Sequence, residues 1–402
     1  MFIARQPIFN RNLGVYGYEL LFRSDAESGS YDGISPTKAT ATVISGLFEC
    51  GIECIVEDKY AFINFDEKFI HSDSLELIEA DRLIVEILED VSINDRLIRR
   101  IKDLKGKGYK IALDDFYEDY DEYPLVPYAD IIKFDLIVTP LEEIKGYIHT
   151  ALTHRKTILA EKIETEEDFL KAKEMGFHLF QGYFFSKPGI SNKPFDKSTS
   201  KTQYYRLLKE LKKEEPSFQE LAEIIEKDVT LAYRLMRVVS SRSGDELIYS
   251  IKKALTYMGL RESERWVHIL MLQDFGKEKP KELMRTSLIR TQFAETIAIQ
   301  GGLKNLRHEA SMMGLFSVLD AMMDMPLSTA LEGINLTKRV LDALLYNKGV
   351  LYPIYELILA YEKADWEIVL KNLKEMGIDK DSIHEKYLDA INWAKETMGL
   401  IA

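Results

Sequence analysis

Seven polar positions recur along the first 181 residues of this 402-residue chain, each at or near the end of a short apolar, β-branched or aromatic run: Glu19, Asn64, Glu86, Asp114 with Asp115, Lys133, Glu161 and Gln181. Carboxylates gathered in one place repel one another unless cations neutralise them. Asp, Glu and Asn oxygens suit hard divalent ions such as Mg²⁺ or Mn²⁺, not a zinc held by Cys and His. The adjacent Asp114 and Asp115 could serve two metals about 3.5–4 Å apart, the arrangement that activates water and stabilises the leaving oxygen in phosphodiester cleavage. Arg23 and Lys133 add the positive charge that a phosphate needs. Taken singly, an acidic residue after a strand is more often a helix N-cap or a solvated loop residue than a ligand. Their recurrence in step argues for a shared site.

The elements that must position these residues alternate short strand-like runs with amphipathic helical stretches, the pattern of repeated β-α units around a parallel sheet. Eight strands are expected, at about 2–9, 13–22, 60–65, 83–88, 109–114, 130–135, 157–161 and 178–185. Only the turn Asn10-Arg-Asn-Leu-Gly14 separates the first two, too short for a helical crossover, so that pair should be an antiparallel hairpin. The remaining joins can hold helices, which predicts a (β/α) barrel with an irregular start. At the C-terminal rim of such a barrel, groups from distant parts of the chain face one mouth.

The stretch Lys187–Ser200 concentrates Pro, Gly, Ser and Asn and marks a boundary. It predicts a barrel over 1–190, a linker over 191–200 and a second domain over 201–402. Beyond the boundary the periodicity is helical: Leu221, Ile224 and Ile225 share one face, as do Leu231, Leu235, Val238 and Val239. Ser217 with Glu220 reads as a capping box, and Gly259 as a helix C-cap. Hydrophobic residues make up 46% and charged residues 30%, as in folded soluble proteins. The formal charge of −13 excludes a general nucleic-acid backbone binder. No apolar run approaches a membrane span, so a cytoplasmic protein without a membrane partner is expected. Cys50 and Cys54 read as reduced packing thiols. His268 and His308 lack a ligand set, and Met312, Met313, Met322, Met323 and Met325 read as core.

The segments Gln6-Pro-Ile8, Tyr18-Glu-Leu-Leu-Phe-Arg23, Phe62-Ile-Asn64, Val85-Glu-Ile-Leu-Glu89, Leu113-Asp-Asp-Phe116, Ile132-Lys-Phe-Asp135, Ala160-Glu-Lys-Ile-Glu164 and Gln181-Gly-Tyr-Phe-Phe-Ser-Lys-Pro188 resemble, in order, the motif series of EAL domains. Those domains are modified TIM barrels that hydrolyse cyclic di-GMP with two Mg²⁺ or Mn²⁺ ions. The resemblance implies metal-site roles for Glu19, Asn64, Glu86, Asp114, Asp115 and Glu161. It makes Lys133 and Glu161 catalytic, Lys133 orienting the attacking water. Gln6, Arg23 and Gln181 would hold metal or nucleotide, and Glu164 would be a supporting carboxylate. The stretches Glu220–Leu231, Arg234–Ser240 and Ile251–Leu260, with Trp266 and Trp366, resemble the HDOD family. The implied fold is an α/β modified TIM barrel of the EAL type, its first strand pair antiparallel, followed by an all-α HDOD helical bundle. Ser317 and Val318 stand where active relatives of the second family carry a metal-binding His-Asp pair, so this domain is expected to bind a protein partner and to have no phosphohydrolase activity.

The chain also departs from the first family. Leu20 stands where the family has Ala, and Leu88 where it has Thr; Lys162 takes a Gly position and places a cation beside Glu161. The loop after Asp115 reads Phe116-Tyr-Glu-Asp-Tyr-Asp-Glu122, without the two glycines of active relatives and with four acidic residues that oppose an anionic substrate. In the family this loop couples to the dimer interface, so a homodimer is a further expectation. The sequence reading therefore favours a cyclic di-GMP-linked sensor or scaffold with weak or absent hydrolysis. An active phosphodiesterase producing linear pGpG is the alternative, and a scaffold without nucleotide binding a third reading.

Overall fold

The computed structural model describes residues 2–23, 52–88, 91–116, 122–139, 141, 143–186, 199–243, 250–276, 279–332, 334 and 336–401. Residues 117–121 of the altered loop, most of the boundary segment, and Cys50 lie outside that set.

Eight strands close into a barrel in chain order: β1 Phe2–Asn10, β2 Val15–Arg23, β3 Tyr60–Phe65, β4 Leu83–Ile87, β5 Lys110–Leu113, β6 Ile131–Asp135, β7 Thr157–Glu161 and β8 Leu179–Gln181. The hairpin expectation holds, since β1 runs antiparallel to β2, and β8 closes on β1 antiparallel as well. Asn10 explains the tight turn, its Oδ1 accepting from the backbone N–H of Asn12 and Gly14 at 2.9 and 3.1 Å. All other neighbours are parallel. Helices cover the outside. The helix Asp95–Gly106 begins where Asn94 Oδ1 accepts from Leu97 N at 2.9 Å and buries Leu97, Ile101 and Leu104 against the barrel.

The barrel interior is plugged by Ile8, Phe62, Ile84, Ala112, Ile131, Leu159 and Leu179. Two residues further along each parallel strand, hence on the same face one layer nearer the C-terminal rim, come Asn64, Glu86, Asp114, Lys133, Glu161 and Gln181. Gln6 stands in the equivalent place on the reversed β1, opposite Glu19 of β2. Below Glu19 the layer is closed by Gly17, where a Cβ would lie 2.7 Å from the Phe62 ring. The strand period thus supplies one polar residue from each of eight strand positions, above an apolar floor.

The eighth strand is shorter than its sequence suggests. It stops at Gln181, and Tyr183–Ser186 form a 3₁₀ turn. Gly182 causes the break, with φ +145° and its Cα pressed so close to the Ile163 backbone that a Cβ would come 2.1 Å from the carbonyl oxygen. Backbone bonds from Ile163 N to Gln181 O and from Phe184 N to Ile163 O tie the two turns together.

From Thr199 onward every described element is helical. Ser217 caps the helix Phe218–Glu226 by accepting from Glu220 N, and Gly259 ends the helix Ile251–Met258 at φ +78°. Met313 and Met322 are buried, and Met312, Met323 and Met325 pack on the same core. The long helix Lys281–Gln300 crosses Arg307–Phe316 closely at Gly314, where a Cβ would lie 2.3 Å from Arg290 O.

The two halves share a core. Phe2 and Ala4 of β1 belong to the helical cluster, with the Phe2 ring stacked on Trp366 at 5.4 Å. Beside them Tyr18 donates to Glu282 Oε2 at 2.9 Å, the Arg5 guanidinium lies over the Tyr18 ring, and Arg285 pairs with Glu57. Among the described residues, no helix is long and apolar enough to cross a membrane.

Gly182→Ala forces both a disfavoured φ and a backbone collision. The substitution is expected to cost about 3 kcal/mol or more, read as a lowered midpoint of the first transition in urea unfolding. An unchanged midpoint would contradict the close approach of the two turns.

Candidate functional site at the barrel mouth

The eight strand positions deliver their side chains to one centre. Lys133 Nζ lies 2.7 Å from Glu86 Oε1, 2.6 Å from Asp114 Oδ1, 2.8 Å from Glu161 Oε1 and 3.8 Å from Glu19 Oε1. Lys133 and Glu86 are fully enclosed, at 1% and 0% exposure. Glu19 is oriented from both sides: Asn64 Nδ2 donates to Oε1 at 3.0 Å and Gln181 Nε2 donates to Oε2 at 2.5 Å. The second proton of the Gln181 amide goes to Gln6 Oε1 at 3.2 Å.

Four carboxyl groups therefore share one buried ammonium, and a fifth, that of Asp115, lies against two of them, Asp114 and Glu161. Burial pushes the Glu161 carboxyl up to about 8, with Lys133 opposing it. Glu86 is raised well above the usual carboxylate range for the same reason. For Lys133, burial acts to lower the pKa, but Glu161, Glu19, Glu86 and Asp114 outweigh it, and the ammonium is held well above its usual range. The site is short of positive charge.

It is also short of donors. Asn64 Oδ1, Glu86 Oε2 and Gln181 Oε1 are buried and accept no hydrogen bond among the described residues, an arrangement that costs free energy in a protein interior unless something else occupies the oxygens. Carboxylate oxygens of Asp114, Asp115 and Glu161 all lie within 4.8 Å of one another. Open oxygen acceptors and excess carboxylate together fit hard divalent cations, which these residues could hold.

Asp115 stays in this cluster despite the substituted loop beyond it. Its neighbours are pinned, Asp114 N to Ile87 O at 3.1 Å and Phe116 N to Lys133 O at 3.0 Å, which leaves Asp115 at φ +39°. Phe116 is buried against Tyr123 and Phe134. Leu88 packs on the barrel core. Lys162 occupies φ +55°, a conformation suited to glycine. Its ammonium pairs with the buried Asp135, with Asp115 and Glu161 as weaker electrostatic neighbours. Glu164 is exposed. Arg23 ends β2 opposite Phe2, and its side chain lies outside the described residues, as does the loop 117–121.

Sequence reasoning missed two contacts. The Asp135–Lys162 pair was within reach, because Asp135 follows Lys133 by two residues on the same strand face. The second joins the halves of the chain: Gln6 Nε2 donates to Tyr183 Oη at 3.3 Å and to Glu362 O at 3.5 Å, and Tyr183 Oη donates to the same carbonyl at 3.3 Å. No spacing pattern could signal Glu362, which arrives from the helix Tyr352–Glu362 by tertiary packing alone. In the helical half, Ser317 and Val318 are buried, and the Ser317 hydroxyl bonds Gly314 O and Arg290. His268 is enclosed edge-on to Phe316, and burial depresses its pKa to about 3.

Comparison with known proteins agrees with both halves. The EAL domain model matches residues 1–188 and the HDOD domain model matches residues 199–325. The uncharacterized protein YuxH of Bacillus subtilis is 36% identical over 99% of both chains. The cyclic di-GMP phosphodiesterase CdgJ of Vibrio cholerae is 31% identical, over 100% of this chain and 94% of its own. Among solved structures, the Bacillus subtilis YkuI protein, with an EAL domain, in complex with substrate c-di-GMP and calcium, is 23% identical over 64% of this chain and 71% of its own, with a TM-score of 0.39. Two domain matches in this order, together with relatives aligned from end to end, show that the chain belongs to the EAL–HDOD proteins, in which an EAL barrel precedes a helical HDOD domain.

Proposed function

We propose that this protein acts in cyclic di-GMP signalling and that its barrel is a Mg²⁺- or Mn²⁺-dependent phosphodiesterase opening cyclic di-GMP to the linear dinucleotide. The observation that carries this reading is the ring of strand-end side chains with buried, unfilled acceptor oxygens among them. The end-to-end relative CdgJ, a cyclic di-GMP phosphodiesterase, supports it. Glu19, Asn64, Glu86, Asp114, Asp115 and Glu161 would hold the cations, which supply an acidified water and draw charge from the phosphate oxygens.

The chain's own groups set the geometry of the step. Lys133 stands between Asp114 and Glu161 and aligns the attacking water. The water oxygen forms the new P–O bond, one ester P–O bond breaks, and the water's proton ends on the departing hydroxyl. Glu161, whose Oε1 lies 2.8 Å from Lys133 Nζ, is placed to carry that proton. Gln6, Gln181, Arg23 and Glu164 are assigned to orientation of metal or nucleotide. The domains are taken as 1–190 and 201–402, the second meeting a protein partner.

A specific observation favours the second reading, a binding sensor with little turnover. Lys162 places an ammonium on Asp135 beside Asp115, where it competes with a cation for charge. A product assay with Mg²⁺ and with Mn²⁺, beside calorimetric titration of cyclic di-GMP in Ca²⁺, separates the readings. Turnover of roughly 1 s⁻¹ or faster is the expected result. Binding in Ca²⁺ without linear product in either metal would leave the sensor, and neither binding nor product would leave a scaffold.

Mn²⁺ binding has its own signature. Glu19→Gln with Asp114→Asn should weaken Mn²⁺ at least roughly tenfold, the scale on which even outer-sphere partners act. Because burial raises Glu161 and Glu86, the metal-free site holds protons below about pH 8 that a cation must displace. Affinity should therefore rise from pH 6 to pH 8, with proton release seen as a buffer-dependent heat. Affinity that is flat across this interval, or unchanged in the double variant, would place the metal elsewhere.

A further inference from the structure

The helical domain reaches the metal-site carboxylate Glu19 through an unbroken hydrogen-bonded path. Gln181 donates one amide proton to Glu19 and the other to Gln6, and Gln6 donates both of its own to Tyr183 Oη and Glu362 O. Both amides are thereby fixed in orientation, so Gln6 cannot turn without breaking the Gln181 bond that aims Glu19. Glu362 ends its helix, where a backbone carbonyl has no partner within the helix. Its place is set by its side chain, which Arg290 grips with two bonds, Nε to Oε1 at 2.8 Å and Nη2 to Oε2 at 2.7 Å. Arg290 is in turn fixed by Ser317 Oγ at 3.0 Å. A cavity of about 40 Å³ lined by Arg5, Gln6, Tyr183, Glu282, Arg290 and Glu362 lies along this path.

We propose that the helical domain completes the barrel's metal site: Tyr183 and the Arg290–Glu362 clamp are positioning residues that act through Gln6 and Gln181 on Glu19. The barrel would then reach full metal affinity only with the helical domain docked. Coupling of this kind is reciprocal, so metal at the mouth also tightens the docking. Ser317, at a position where the family's active relatives carry a metal ligand, serves here to hold the clamp. This inference rests on the proposed metal site.

The test is calorimetric titration of Mn²⁺ into the full chain, with thermal unfolding measured in parallel. Tyr183→Phe removes a single oxygen from the path and leaves the packing in place. Removing Arg290 alone would strand the buried Glu362 carboxylate, so the clamp is removed as a pair, Arg290→Met with Glu362→Met. Each change should weaken Mn²⁺ by roughly tenfold, the effect of an outer-sphere partner. The combined variant should be no weaker than either alone, because both act on one path. Rescue by Arg290→Lys should be partial, since an ammonium cannot grip both carboxylate oxygens. Mn²⁺ affinities within twofold of the unaltered chain, or losses that multiply in the combined variant, would overturn the relay alone. An unaltered chain that binds no Mn²⁺ at the mouth would overturn the proposed function first, and the relay with it.

Discussion

One buried ammonium, that of Lys133, holds the mouth of this barrel together. Three carboxylates approach it within 2.8 Å, and a fourth stands at 3.8 Å. A single cation cannot neutralise four carboxyl groups at low dielectric, so the cluster is stable only with protons on some of them or with further cations between them. The raised Glu86 and Glu161 carboxyls are the metal-free answer to that constraint. Divalent ions would be the other answer, and Asn64 Oδ1, Glu86 Oε2 and Gln181 Oε1 are buried with no hydrogen bond among the described residues. The apolar floor beneath the ring excludes water from below and fixes where each side chain emerges.

Much of this was legible in the sequence because barrel strands have a period of two. An apolar residue two places before Asn64, Glu86, Asp114, Lys133, Glu161 and Gln181 is the trace of the plug layer, and the polar residue after it marks the rim. The hairpin was legible from a five-residue turn too short to contain a helix. The end of β8 was not, because aromatic residues on both sides of Gly182 read as one strand; the break comes from contact with Ile163, far along the chain. Lys162 was expected beside Glu161, and Glu161 is an electrostatic neighbour of its ammonium; the ion pair with Asp135 was not expected.

The relation between the halves was the least legible feature. Phe2 and Ala4 read as ordinary strand residues, yet they face the helical core because β1 lies on the side of the barrel that the second domain covers. At this junction Tyr18 donates to Glu282, the Arg5 guanidinium lies over the Tyr18 ring and Arg285 pairs with Glu57, while Arg5 Nη2 and Arg285 Nε find no hydrogen-bond acceptor among the described residues. Such networks specify one docking geometry more than they add stability. Ser317 Oγ accepts from Arg290 Nη1 at 3.0 Å, beside the two bonds by which Arg290 holds Glu362.

The central claim is that the mouth of the barrel is a divalent cation site built from residues at the ends of β2, β3, β4, β5 and β7. Crystals of the full chain grown with Mn²⁺ and examined by anomalous diffraction test it most directly. The account predicts anomalous density among Glu19, Asn64, Glu86, Asp114 and Glu161, with Asp115 on its edge and Lys133 drawn back from at least one of its carboxylates. An empty mouth at saturating Mn²⁺, with Lys133 still in contact with Glu86, Asp114 and Glu161, would contradict it and leave the ring a structural ion cluster.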